Sequence, residues 1–293
     1  MPASRKARTQ PKVQLLEAPS LAGLPWLTHG FTTRKGGHSR VYGRNTLNLG
    51  FTSHDTKAAV ARNRQQLSVS LAKRARSKWE LVTLRQVHSD LIHLITRVPE
   101  HPLSGDGLIT STAGLLLGVL TADCFPIIIV DPKRRAIGVF HAGWRGTLKR
   151  IAQKGVGEMR KHFGSNPAQL RAAIGPGIRN CCYQVGPEVR STFEGQFTYG
   201  SQLFRETKER NEIHERYPLL FLTARAPGHS DLPRQIFLDL AEANRRQLLD
   251  AGLMARNISD LGTCTSCNPE LFFSHRAEKG KTGRMMAIVG VRE

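Results

Sequence analysis

The chain has 293 residues, 40% hydrophobic and 23% charged, a composition that excludes low-complexity disorder and leaves either one large domain or two smaller ones. Lys and Arg number 43 against 23 Asp and Glu, a formal net charge of +20, which would draw nucleic acid, an anionic surface or a phosphorylated substrate, or reflect an arginine-rich proteome. No RNA-binding aromatic signature and no DNA-reading helix accompanies the charge, so it does not by itself make a nucleic-acid protein.

Residues 1–12 carry Arg5, Lys6, Arg8 and Lys12 with no acid and little apolar content, and read as a disordered basic tail. They lack the apolar segment of a signal peptide. Residues 13–33 suggest short strands separated by Gly and Pro. A helix is expected over 56–76, with Ser53, His54 and Asp55 as cap candidates and Ala59, Val60, Leu67 and Leu71 as its apolar face. Strand candidates then follow closely at 81–87, 91–97, 108–110, 115–120, 127–130 and 136–140, several of them continuous apolar runs as in strands covered on both faces. The best candidate for an uninterrupted apolar run, 115–120, is far below the ~20 residues that cross a bilayer. A helix over 147–163, a strand over 170–174, a helix over 240–253 behind an Asp239 cap, and a closing strand over 285–291 complete the pattern. Between 195 and 234 the text turns charged and loses apolar periodicity, which reads as a polar insertion near 197–233 or a lid. The expected fold is α/β: residues 13–293 as a single domain with a layered mixed sheet and helices packed outside.

The most informative stretch runs from Thr121-Ala-Asp-Cys-Phe-Pro to His141-Ala-Gly-Trp-Arg-Gly. Asp131-Pro-Lys is a turn signal between two apolar runs, hence a β-hairpin. With the turn centred between Pro132 and Lys133, Cys124 falls opposite His141, and a slip of one residue leaves them diagonal. Opposed Cβ atoms stand ~5 Å apart, close enough to share one ion. His88, at the end of the 81–87 run, is the natural third ligand. Thiolate and imidazole suit zinc, and three protein ligands with an open fourth position describe a catalytic rather than a structural site. Asp123 and Asp90 are candidates to orient a ligand imidazole or carry a proton. The same geometry allows a competing reading, in which His141 activates Cys124 as a nucleophile without metal.

Ten motifs stand in a recognisable order: Thr33-Arg-Lys-Gly-Gly, Asn45-Thr-Leu-Asn-Leu-Gly, Gln86-Val-His, Gly105-Asp-Gly-Leu-Ile-Thr, the two hairpin motifs, Ile174-Gly-Pro, Val185-Gly, and Phe272-Phe-Ser-His-Arg with Thr282-Gly-Arg. Together they resemble the YfiH, or laccase-domain, family, once described as multicopper polyphenol oxidases and later as purine nucleoside phosphorylases. The resemblance covers about residues 30–291. It implies a single-domain, CNF-toxin-like α-β-β-α sandwich and zinc on the positions matching His88, Cys124 and His141. It also implies phosphorolysis of adenosine, inosine, guanosine and methylthioadenosine, with hydrolytic deamination of adenosine. The fold is distantly similar to toxins that deamidate through a Cys–His pair, so the metal-free Cys–His hydrolase stays open as an alternative.

Within that frame Asp123, Cys124 and His141 are the expected catalytic residues. Arg34 in its Gly-rich turn, Arg145, and the N–H groups where a helix begins at Thr147 would suit phosphate, with Arg284 a further candidate. Asn48 is expected to satisfy a turn and Trp144 to pack as a pocket wall. Other family members often carry Tyr-Arg-Arg where this chain has His275-Arg-Ala. A copper-dependent phenol oxidase is disfavoured, because no His-x-His repeat occurs. Cys264-Thr-Ser-Cys267 has the spacing of a zinc clip, and Cys181 and Cys182 are adjacent; all four are expected to pack as buried thiols. Five cysteines are too few and odd in number for a disulfide framework. The expected setting is the cytoplasm, with purine nucleosides and phosphate as small-molecule partners, no membrane, and a monomer or homodimer.

Overall fold

The computed structural model describes residues 12–75, 78–208, 216 and 234–293. The expected basic tail, apart from Lys12, and most of the expected insertion at 197–233 lie outside them. The chain divides into two compact units, Met1–Ile178 with Leu240–Glu293, and Arg179–Asp239.

The larger unit is built on two sheets. Its strands are β1 (Leu15–Leu16), β2 (Leu27–Thr32), β3 (Lys35–Ser39), β4 (Glu80–Thr83), β5 (Ile92–Leu94), β6 (Gly107–Thr110), β7 (Leu115–Thr121), β8 (Phe125–Asp131), β9 (Ala136–Ala142), β10 (Arg171–Ile174), β14 (Ile258–Asp260) and β15 (Met285–Val291). One sheet has the order β1-β2-β15-β7-β4 and the other β14-β10-β8-β9-β6-β5. Strands β8, β9 and β15 are buried at every residue, which explains why they read as continuous apolar runs rather than alternating ones. Each face nevertheless has its own partner. Leu117, Val119, Ala287 and Val289 of the first sheet share one core with Ile128, Val130, Ile137 and Val139 of the second. On the outer face of the first sheet, Leu116, Met286 and Ile288 pack against Leu67 and Leu71 of α1 (Lys57–Ala75). On the outer face of the second sheet lie α3 (Ile151–Phe163) and α5 (Leu240–Asp250). Gly155 of α3 comes so close to Phe140 that a Cβ there would meet the ring at 2.6 Å. The layers are therefore helix, sheet, sheet, helix, as expected. Each fully buried Leu, Ile or Val at these faces contributes about 1.5–3 kcal/mol by leaving water.

Some boundaries differ from the expected ones. The cap of α1 is Thr56 itself, whose Oγ1 accepts from the Ala59 N–H at 3.2 Å. The strand expected over 81–87 stops at Thr83, and the next four residues form the approach to His88. The helix expected over 147–163 is two helices, α2 (Trp144–Leu148) and α3, separated by Arg150 with φ +64°. At the break the Thr147 carbonyl accepts from the Arg150 N–H at 2.9 Å and from the Gln247 side chain of α5 at 2.7 Å in place of the N–H four residues on.

The smaller unit holds a three-stranded sheet of order β11-β13-β12, formed by Gln184–Val185, Phe204–Lys208 and Arg234–Leu238 for β11, β12 and β13. It also contains α4 (Pro187–Gln196), opened by a proline at its first position.

Candidate metal centre

The β8–β9 hairpin supplies two of the three expected ligands. Its register pairs Phe125 with Ala142 and Pro126 with His141, so one step further Cys124 stands against Gly143, and His141 is its diagonal neighbour on the same face. The expected pairing of Cys124 directly with His141 is corrected by one residue per strand. The turn is centred between Lys133 and Arg134, because the Asp131 carboxylate takes both of their N–H groups, at 2.9 and 3.0 Å, and holds the chain in that turn. His88 reaches the site from a turn after β4, with φ +56°. One ligand atom from each of His88, Cys124 and His141 lies within 4.8 Å of the others. The two imidazoles meet edge to face with centroids 5.0 Å apart. His88 is exposed, Cys124 half-buried and His141 buried, so the trio opens to solvent on the His88 side.

Behind the trio sits Asp106, fully buried. Oδ1 accepts from His141 Nδ1 at 2.8 Å and from the His88 N–H at 3.1 Å. Oδ2 accepts from the N–H groups of Val87 and Ser89 at 3.2 and 2.6 Å and from the Ser89 hydroxyl at 2.7 Å. Burial alone would raise this carboxyl, but the His141 and Ser89 hydrogen bonds outweigh it and bring it to about 2. With Nδ1 given to Asp106, His141 turns Nε2 towards Cys124. Burial opposes charge at both groups; even so, the adjacent imidazole and its hydrogen bond, helped by His88, draw the Cys124 thiol down to about 6. The facing thiolate and Asp106 together raise His141 to about 9. The site favours thiolate beside imidazolium, the charge state that a Cys–His pair and a metal-ready thiolate have in common.

Two further side chains fix the ligands. Gln86 donates to the Leu120 carbonyl at 2.8 Å and accepts from the Leu120 N–H at 2.7 Å, so one side-chain amide joins the His88 turn to β7. Asp123 has φ +91°, a region costly for a residue with a Cβ. Its Oδ1 accepts from Thr265 Oγ1 and its Oδ2 from the Arg276 N–H, both at 2.7 Å. Both oxygens of Asp123 thus hold the chain next to Cys124. Asp90 is drawn down chiefly by its hydrogen bond to Lys154. The carboxylate that orients an imidazole is Asp106 rather than either of these, and sequence reasoning missed it. The available signal was cross-strand: β6 pairs Gly107 with Phe140, which places Asp106 beside His141.

The expected phosphate-binding arginines separate. Arg34 gives its four terminal N–H groups to Pro269 O at 2.6 Å, Phe272 O at 3.2 Å, Tyr42 O at 2.6 Å and Glu278 at 3.1 Å, and it lies over Phe273. That leaves no terminal donor for phosphate, and Arg34 is a tie between loops instead. Arg284 gives one nitrogen to the Thr282 and Gly283 carbonyls and keeps the other. Arg145 is exposed, with its guanidinium 4.3 Å from the Trp144 ring centroid, so Trp144, expected as a packed wall, is a cation–π partner. The N–H groups expected at Thr147 are displaced, since the helix begins at Trp144 and the Thr147 N–H donates to the Gly143 carbonyl at 2.8 Å. Asn48 does serve the backbone, accepting from the N–H groups of Gly50 and Arg284. Of the four remaining cysteines only Cys264 is buried, while Cys181 and Cys267 are exposed, which corrects the expectation that all four pack in the core.

The trio fits a zinc ion chemically. One thiolate and two imidazoles are zinc donors, bonds of ~2.1–2.3 Å at tetrahedral angles put donors about 3.5 Å apart, and a small inward movement from within 4.8 Å meets that spacing. The carboxylate behind His141 is the usual companion of a metal-bound imidazole.

Comparison with known proteins gives concordant matches. The family model described as multi-copper polyphenol oxidoreductase laccase matches residues 28–292. Purine nucleoside phosphorylase YlmD of Bacillus subtilis is 33% identical over 273 residues, covering 90% of this chain and 88% of that protein. Purine nucleoside phosphorylase of Deinococcus radiodurans is 35% identical, covering 97% and 95%. The crystal structure of the Bacillus licheniformis protein YfiH superposes with a TM-score of 0.77 at 33% identity, covering 96% of this chain and 99% of that one.

Proposed function

The chain belongs to the multi-copper polyphenol oxidoreductase laccase family, and on that premise we propose that it is a zinc-dependent purine nucleoside phosphorylase. The observation that carries the reading is the convergence of His88, Cys124 and His141 on one solvent-facing point, in a chain whose relatives bear that enzyme's name. The substrates proposed are adenosine, inosine, guanosine and methylthioadenosine, with adenosine deamination as a second activity, in the cytoplasm. No helix among the described residues is long and apolar enough to cross a membrane.

His88, Cys124 and His141 would hold the ion, which supplies Lewis acidity for polarising water or a substrate oxygen. Arg145, exposed and without a hydrogen bond or ion pair among the described residues, is assigned to phosphate, and Arg284 offers the nitrogen its carbonyl contacts leave over. Asp123 positions Cys124 through the loop it ties down.

The test is incubation with adenosine, with and without phosphate, and separation of the products. Phosphate-dependent adenine supports phosphorolysis and inosine supports deamination; neither product, from protein shown to hold zinc, would sink the proposal. A second reading is favoured by the hydrogen-bonded series Cys124, His141, Asp106: a Cys–His hydrolase needing no metal. Turnover that survives complete metal removal would select it. Copper-dependent phenol oxidation is disfavoured for want of any His-x-His.

A further inference from the structure

A buried carboxylate is expensive unless donors surround it, and an apolar residue usually serves a fold as well or better. Asp106 is fully buried, and among the described residues its donors come from two places. One is the turn at Val87, His88 and Ser89, whose three successive N–H groups all point at it. Such a run of N–H groups is an anion-binding nest, and a nest needs a residue in the left-handed region. His88 is that residue, with φ +56°. The other donor is His141, tied twice to the same residue: its ring through Nδ1 and its own N–H to the Asp106 carbonyl at 2.7 Å.

We infer that Asp106 is the positioning residue of the metal centre, one carboxylate that holds both histidines by filling the nest that shapes the His88 turn while fixing the His141 ring with Nε2 outward. The inference rests on the reading of the trio as metal ligands. Neither oxygen can be spared. Oδ2 serves Val87 and Ser89, Oδ1 serves His88 and His141, and an amide in its place must turn its NH2 towards one of those sets. In Asp106→Asn the nest loses its anion, and either His141 and the His88 N–H or Val87 and Ser89 lose their acceptor. Ser89→Ala removes one hydroxyl donor and leaves both sets in place.

The experiment uses the full chain and three readouts: zinc affinity by competition with a chromophoric chelator, the Nδ1–H resonance of His141 by NMR of the metal-free protein, and exchange protection of the 87–89 amides. Asp106→Asn is expected to weaken zinc binding tenfold to a hundredfold and to lose either the Nδ1–H resonance or the amide protection. Ser89→Ala should keep both signals and stay within a few-fold of the parent affinity. A merely structural Asp106 would lower the melting temperature of the Asn variant and leave zinc affinity and the Nδ1–H signal unchanged, and that outcome overturns the inference. Should the Asn variant not fold, the parent protein decides: a His141 Nδ1–H exchanging freely with water also overturns it. If the parent binds no zinc, the metal reading fails, while the NMR readouts still report on Asp106.

Discussion

Gly143 and Cys124 stand so close that a Cβ built on Gly143 would fall 2.9 Å from the Cys124 sulfur and 3.1 Å from Cδ2 of His88. The backbone there is extended, with φ −76°, so alanine is acceptable to the main chain and the conflict is steric alone. Gly143→Ala should therefore push two ligands apart without disturbing β9. An overpacking penalty of about 1–3 kcal/mol, borne by the metal-bound geometry, corresponds to a loss in zinc affinity of about fivefold to 150-fold. Chelator competition beside a circular dichroism spectrum checks this; unchanged affinity in a folded variant would contradict it.

Cys124 should alkylate at a pH where ordinary thiols are inert. The adjacent His141 draws it down to about 6 from a usual value near 9, so in metal-free protein its rate with iodoacetamide should rise through pH 6 and level off by neutrality. Mass-spectrometric mapping separates it from the exposed Cys181 and Cys267, and zinc should protect it. Metal-free Cys124 that reacted only above pH 8 would show that the imidazolium does not stabilise the thiolate.

Much of this site was legible in the sequence because a hairpin brings residues together by arithmetic. The two strands flanking a turn signal placed Cys124 within reach of His141, with an error of one residue that only the Asp131 side chain could have removed. A sheet covered on both faces was legible too, from apolar runs too continuous for one-sided strands, whereas the two-sheet sandwich came only with the family resemblance. Asp106 was not, because its partners are 17 to 35 residues away and nothing in Gly-Asp-Gly distinguishes a buried carboxylate from a turn. Nor was the fate of the arginines. Arg34 and Arg145 look alike in their motifs, and only the positions of carbonyls from distant loops show that one is saturated and the other open.

The two arginines should fail differently. Arg34→Ala leaves three carbonyls and Glu278 without their donor in a mostly buried place, and each lost partner costs about 1–3 kcal/mol. A large fall in melting temperature is expected. Arg145→Ala removes an exposed side chain and should change stability by less than about 0.5 kcal/mol, while raising the KM for phosphate. Thermal melts and phosphate titrations of both variants make the comparison. A stable Arg34→Ala protein with a raised phosphate KM would return Arg34 to the phosphate site.

The pH dependence of stability in metal-free protein separates Asp106 from the pair it supports. His141 is raised from 6.5 to about 9, so its contribution is complete below pH 6.5 and lost as pH rises through 9. Cys124 is lowered from 9.0 to about 6, so its contribution is complete above pH 9 and lost as pH falls through 6. Between pH 6.5 and 9 the folded pair holds one proton on His141 and the unfolded pair holds one on Cys124. Equal proton counts give no slope, and the pair should leave stability flat across that window. Asp106 has no such partner in titration. Lowered from 3.8 to about 2, it stabilises fully above pH 3.8 and loses about 2 kcal/mol as pH falls to 2. Urea denaturation of metal-free protein at several pH values should show the plateau and the acid limb, and Asp106→Asn should shrink the limb and, because Asp106 helps raise His141, end the plateau at a lower pH. An acid limb of equal depth in that variant would assign the loss to other carboxylates.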